Sequence, residues 1–145
     1  MRVLLDTCVL SEIRHPQGDP RVRAAVREHA DDELFLSVLT MGELAKGIAL
    51  LEPGRRKSEL EAWLSQLHAH YGDRILPIDS ETSLISGEIT PAARANGRSI
   101  PAIDGLIAAT ALRHGLALMT RNVEDFAPTG VRIINPWAAP GVHDA

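Results

Sequence analysis

Aromatic side chains are scarce, at 3% of the 145 residues, and Cys8 is the single cysteine. With so few rings, the core has to be filled by Leu, Ile, Val and Ala, which suits helices packed on a sheet. One thiol allows no intrachain disulfide and supports no cysteine-based zinc site; a reducing cytoplasm is the compartment such usage implies. No apolar run is long enough to cross a membrane. The start, Met1-Arg2-Val3-Leu4-Leu5-Asp6, with its early charge and its acid after three apolar residues, lacks the shape of a signal peptide. A basic excess is missing too. The formal net charge is −4, which argues against holding nucleic acid through a general cationic surface, but not against a nuclease whose acids are covered by metal ions. Neither G-x-x-x-x-G-K-[ST] nor G-x-G-x-x-G occurs, so the nucleotide-binding folds built on those loops are unsupported.

What is present is an alternation of short apolar runs and longer helical stripes. The length suits one domain, expected over 1–138, with 139–145 as a flexible tail. Strands are expected at Arg2–Leu5, Leu34–Ser37, Ile75–Ile78, Leu116–Met119 and Val131–Ile134. Helices are expected at Pro20–Ala30, Leu39–Leu51 and Ser80–Ala95, and from Pro101 to His114. Leu60, Trp63, Leu64 and Leu67 recur at i, i+3, i+4, i+7 and mark another helix. Strands separated by helices imply βα crossovers, and hence an α/β domain with a parallel sheet covered on both faces. In such folds the active site lies beyond the carboxyl ends of the strands.

Four acids occupy such places. Asp6 follows the first strand directly. Glu43 comes one turn into the helix after the second. Asp104 lies in the first turn of the helix opening at Pro101, and Asp125 follows the fourth strand. Each has an ordinary structural reading: Asp6 as a cap or turn, Glu43 as the partner of Thr40 in a capping box, Asp104 as a charge welcome at a helix N terminus, Asp125 as a turn residue. Together they read differently. Four carboxylates gathered at one sheet edge repel one another, and a cation resolves that conflict. Hard oxygen donors suit Mg²⁺ or Mn²⁺, which would activate water and stabilise a leaving oxygen. Thr7 and Asn122 are neutral oxygen donors placed to support such a site.

The stretches Leu4–Glu12, Ser37–Ile48, Ile103–Ala111 and Thr120–Phe126 resemble, in order, the PIN-domain family, in the bacterial toxin branch often called VapC. The resemblance implies a five-stranded parallel sheet with helices on both faces. It also implies Mg²⁺- or Mn²⁺-dependent endonucleolytic cleavage of RNA, with one or two ions per site, by the toxin of a type II toxin–antitoxin pair. Asp6, Glu43, Asp104 and Asp125 fall on the family's acidic positions. A homodimer, and a cognate antitoxin covering the active-site groove, are implied as well. The chain departs from the pattern at Cys8, where many members have Asn; a thiol is the weaker hydrogen-bonding group.

Rival readings start elsewhere. Cys8 and Arg14 have the C-x5-R spacing of cysteine phosphatases. The intervening loop, however, holds bulky Val, Leu and Ile and the anionic Glu12, where a phosphate cradle wants small residues. A PIN-fold binding module without catalysis is the other rival, and the intact acidic set argues against it. His68 and His70 are two apart, on different sides of a helix, and make no zinc pair. Lys46, Arg98 and Arg121 are candidate contacts to RNA phosphates or to acidic antitoxin side chains, while Gly54–Ser58 reads as a solvated basic loop. A groove between the helices at Pro20–Ala30 and Leu39–Leu51 offers a seat for an apolar antitoxin segment.

Overall fold

The computed structural model describes residues 1–138; the tail expected at 139–145 lies outside the described residues. Five apolar stretches form strands: β1 (Val3–Leu5), β2 (Leu34–Ser37), β3 (Ile75–Leu76), β4 (Ala117–Met119) and β5 (Ile133–Ile134). All pair in parallel, in the order β3-β2-β1-β4-β5. Side chains alternate between two cores. Val3, Leu5, Leu34, Leu36 and Met119 enter one, while Leu4, Phe35 and Leu118 enter the other. That two-residue period is what a sheet buried on both faces requires.

Seven helices cover the faces: α1 (Thr7–Arg14), α2 (Pro20–Arg27), α3 (Val38–Ala49), α4 (Arg55–Tyr71), α5 (Ser80–Ala95), α6 (Ala102–His114) and α7 (Val123–Phe126). The first four supply Leu10, Val22, Leu44 and Tyr71 to one core. Helices α6 and α7 supply Ile107, Ala111 and Phe126 to the other. The strand order sets the site. The chain lays β1, β2 and β3 outward in one direction, then returns to place β4 and β5 on the far side of β1. The gap between β1 and β4 is therefore the topological switch point, where open α/β sheets leave a crevice at the carboxyl edge.

Two helices were not expected, α1 and α7. α1 forms because the Asp6 carboxylate accepts the Thr7 N–H and because Val9 and Leu10 bury one face. It packs against both α2 and α3, so the groove expected between those two helices is filled by α1. The basic stretch expected as a loop is instead the first turn of α4, where Arg55 pairs with Glu59 one turn on at 2.9 Å. β3 stops at Leu76, before Pro77, which has no N–H for a ladder. No helix among the described residues is long and apolar enough to cross a membrane.

Candidate active site

β1 and β4 are in register at Leu5 and Met119, so the next residues along each strand, Asp6 and Thr120, meet at the carboxyl edge. Thr120 Oγ1 donates to Asp6 Oδ2 at 2.8 Å, and Cys8 Sγ lies 3.8 Å from the same oxygen. The Thr7 N–H donates to Asp6 Oδ1 at 2.9 Å. Asp6 is only 6% exposed, and a carboxylate that deep persists because such donors replace water. The cap reading of Asp6 and its place at the switch point hold together. Its side chain starts α1 and also stands at the β1–β4 crevice.

Glu43 reaches the same place from α3. That helix begins at Val38, and its cap is Ser37, whose Oγ accepts the Leu39 N–H at 3.0 Å. The expected Thr40–Glu43 capping box is therefore absent. Thr40 is inside the helix and buried, with its Oγ1 unpartnered among the described residues. Glu43 Oε1 instead accepts the Thr7 hydroxyl at 2.9 Å. Thr7 thus holds two carboxylates at once, Asp6 through its backbone and Glu43 through its side chain.

Asp104 lies in the first turn of α6. Helix α5 fixes that turn by close approach: a Cβ on Gly105 would meet Ser86 Oγ at 3.2 Å. Asp125 lies on α7, exposed. Asn122 precedes α7, makes no side-chain cap bond, and donates its backbone N–H to Thr120 Oγ1 at 3.0 Å. Thr120 stands at the candidate site although the sequence pattern did not single it out. It is fully buried and joins Asp6, Asn122 and Cys8. Its signal was its place, the first residue beyond β4 in a sheet whose strand ends were already suspect.

The four acids act on one another. Burial pushes Asp104 up from 3.8 to about 6, and the charges of Asp125, Asp6 and Glu43 each push the same way. The charges of the other three acids therefore reach Asp104. Among the described residues, no group of three or more His, Cys, Asp and Glu side chains is arranged to hold a metal ion. An open, oxygen-only set of carboxylates suits Mg²⁺, which keeps several waters and binds through one or two carboxylates plus a phosphate. By donor chemistry and charge the residues fit a hard divalent cation.

The phosphatase rival fails here. Cys8 and Arg14 belong to one helix, not to a phosphate-cradling loop. Burial, and after it the Asp6 charge, raise the Cys8 thiol above its ordinary 9.0, although the Arg121 N–H pulls the other way. The Arg14 guanidinium lies over Trp63 instead, 5.7 Å from the ring centroid. Of the other cations, Lys46 lines a groove of about 570 Å³ with Glu43 and Ile103. Arg98 sits exposed in the turn between α5 and α6, and Arg121 follows Thr120 and stacks on Trp137. His70 is taken up by Asp31 at 2.8 Å.

Fold and site together define an α/β protein with Asp6 and Glu43 joined by Thr7 at the switch point of a five-stranded parallel sheet. The PIN domain family model matches residues 3–129, and the chain belongs to that family. It is 39% identical over 136 residues to Toxin FitB of Neisseria gonorrhoeae, covering 93% of this chain and 98% of that protein. It is 34% identical over 136 residues to VapC ribonuclease Y4jK of Sinorhizobium fredii, covering 93% and 97%. The crystal structure of FitAcB from Neisseria gonorrhoeae contains a chain that superposes with a TM-score of 0.90 at 38% identity, covering 94% of this chain and 99% of that one.

Proposed function

We propose that this chain is the endoribonuclease toxin of a toxin–antitoxin pair, hydrolysing RNA phosphodiesters at the acidic pocket with Mg²⁺ or Mn²⁺. One observation carries the reading: Thr7, at the switch point, joins the Asp6 and Glu43 carboxylates, and after burial the charges of Asp125, Asp6 and Glu43 push Asp104 up. Relatives named as a toxin and as a VapC ribonuclease support the same direction.

Asp6, Asp104, Asp125 and Glu43 would hold the cation, one ion or two. When bound, it supplies water activation and stabilises the leaving oxygen. The chain's own part is orientation. Thr120 and Thr7 fix the two oxygens of Asp6. Thr7 fixes Oε1 of Glu43 and leaves Oε2 free to accept a proton from an attacking water. Exposed Lys46 and Arg121 offer charge to phosphates nearby.

The antitoxin reading draws on a different surface. A groove of about 320 Å³ runs between α1, α2 and α4, floored by Leu10, Ile13, Val26 and Leu67. A second, of about 270 Å³, continues from it past Arg14 and Trp63 to Thr7 and Glu43. An amphipathic antitoxin segment laid along both would reach the acids. Exposed Val38, Leu50 and Ile103 form an apolar face on α3 and α6, bordered by Glu43 and Lys46, that supports a homodimer. The expected compartment is the cytoplasm, where RNA and antitoxin would meet it.

The test is expression of the chain with and without its neighbouring reading frame, followed by mapping of new RNA 5′ ends. Asp6→Asn removes charge and keeps bulk, so it should abolish both growth arrest and the new ends. Wild-type cleavage by Asp6→Asn would overturn the assignment.

A further inference from the structure

Four arginines lie over aromatic rings. One of them, Arg121, stands at the acidic pocket. Its backbone N–H donates to Cys8 Sγ at 3.5 Å, and that sulfur touches Asp6. Its guanidinium carbon lies 5.4 Å from the centroid of the Trp137 ring. Trp137 is itself fixed: it packs against the core beneath β1 and β4, and its backbone N–H donates to Asn135 Oδ1 at 3.0 Å. Among the described residues no ion pair claims Arg121. Asp19, which senses its charge, is held by Arg21 at 2.8 Å.

An exposed arginine normally samples many rotamers, and ordering it costs binding free energy. This one rests on an indole beforehand. The two uses of a guanidinium do not compete: the face stacks on the ring, while the edge N–H groups stay free for two phosphate oxygens. A lysine could supply the charge but not the fork. Arg121 also lies on the β4–β5 side of the crevice, whereas Glu43 and Lys46 come from α3, next to β2. A strand crossing the sheet edge passes the acids between two cations.

We propose that Arg121, held over the Trp137 ring, clamps an RNA phosphodiester that flanks the one being cleaved. Trp137 is a positioning residue acting through Arg121. The inference rests on the ribonuclease reading and adds to it a fixed contact and the side on which the substrate leaves the pocket.

The experiment is binding of an oligoribonucleotide, followed by anisotropy across a salt series in Ca²⁺ in place of Mg²⁺, with the RNA shown intact by gel. Arg121→Ala should weaken binding about tenfold and flatten the plot of log K against log salt by about one phosphate contact. Arg121→Lys should restore the slope while leaving affinity several-fold weak. Trp137→Leu should weaken binding with the slope of the wild type, which a general loss of packing would not single out. In a Trp63→Phe background, RNA should change the Trp137 emission, and Arg121→Ala should remove that response. Wild-type affinity and slope in Arg121→Ala would overturn the proposal, as would its losing an acidic protein partner while keeping RNA. Full affinity in Arg121→Lys would overturn the stacked clamp. Failure of the wild type to bind RNA would instead overturn the ribonuclease reading beneath it.

Discussion

Replacing Asp104 with Asn should stabilise the metal-free protein while abolishing its activity. Asp104 titrates near 6 in the fold against 3.8 for a free carboxyl, through burial first and then the charges of Asp125, Asp6 and Glu43. At about 1.4 kcal/mol per decade that difference is about 3 kcal/mol. The side chain is only half-buried, and solvent screening cuts the figure to about 1.5 kcal/mol. A negative charge in the first turn of α6 is worth about 0.5 kcal/mol in the opposite sense, so repulsion decides the sign and about 1 kcal/mol remains. The pH dependence has the same origin. The folded state binds more protons than the unfolded chain between about 4 and 6, so wild-type stability falls as pH rises through that window. Asp104→Asn should melt about 3 °C higher than wild type at pH 8 in chelator, and the advantage should vanish by pH 4. Adding Mg²⁺ should reverse the order, because the ion stabilises the chain that binds it better. Thermal denaturation by circular dichroism in the three conditions is the assay. A lower melting point for Asp104→Asn at pH 8, or an advantage undiminished in acid, would refute the reasoning.

Thr120→Val removes the hydroxyl that donates to Asp6 Oδ2. RNA cleavage should drop about 10- to 100-fold and stability by about 2 kcal/mol, with Thr120→Ser recovering most of both; equal cleavage by Val and Thr would show that Asp6 is not held this way. The Cys8 thiol, raised by burial and then by Asp6, should alkylate slowly with iodoacetamide at neutral pH, at a rate still climbing past pH 9. A plateau below pH 8 would contradict the environment described. Thr40→Val deletes a buried oxygen that has no partner among the described residues and should gain about 1 kcal/mol in urea denaturation; a loss would mean that the hydroxyl is satisfied.

The parts of the fold that could be read in advance are those whose pattern is repeated. Leu4 between Val3 and Leu5, and Phe35 between Leu34 and Leu36, belong to runs short enough to be strands and apolar enough to be covered on both faces. The helices α4, α5 and α6 carry a stripe or a stop signal. The place of Asp6 was legible because a parallel sheet gathers the residues just past its strand ends along one edge. Helix α1 was not legible. It has eight residues, β-branched Thr7, Val9 and Ile13 among them, and its capping acid was already assigned to chemistry. Ser37 and Thr40 are both good cap types three residues apart. Only the point where β2 ends selects Ser37, and that is set by pairing with β1 and β3. Thr120 gave no local signal of its own, since its partner Asp6 lies 114 residues away. The groove expected between α2 and α3 is missing for the same reason as α1 was missed: an unassigned helix occupies the space.

The central claim is that four separated carboxylates form one pocket that becomes workable with a divalent cation. Calorimetric titration of Mn²⁺ into the chelator-stripped chain tests it directly. The expected result is saturable uptake of one or two ions, lost in Asp6→Asn at unchanged circular dichroism. Dilution heat alone for the wild type, or the same uptake in Asp6→Asn, would contradict it.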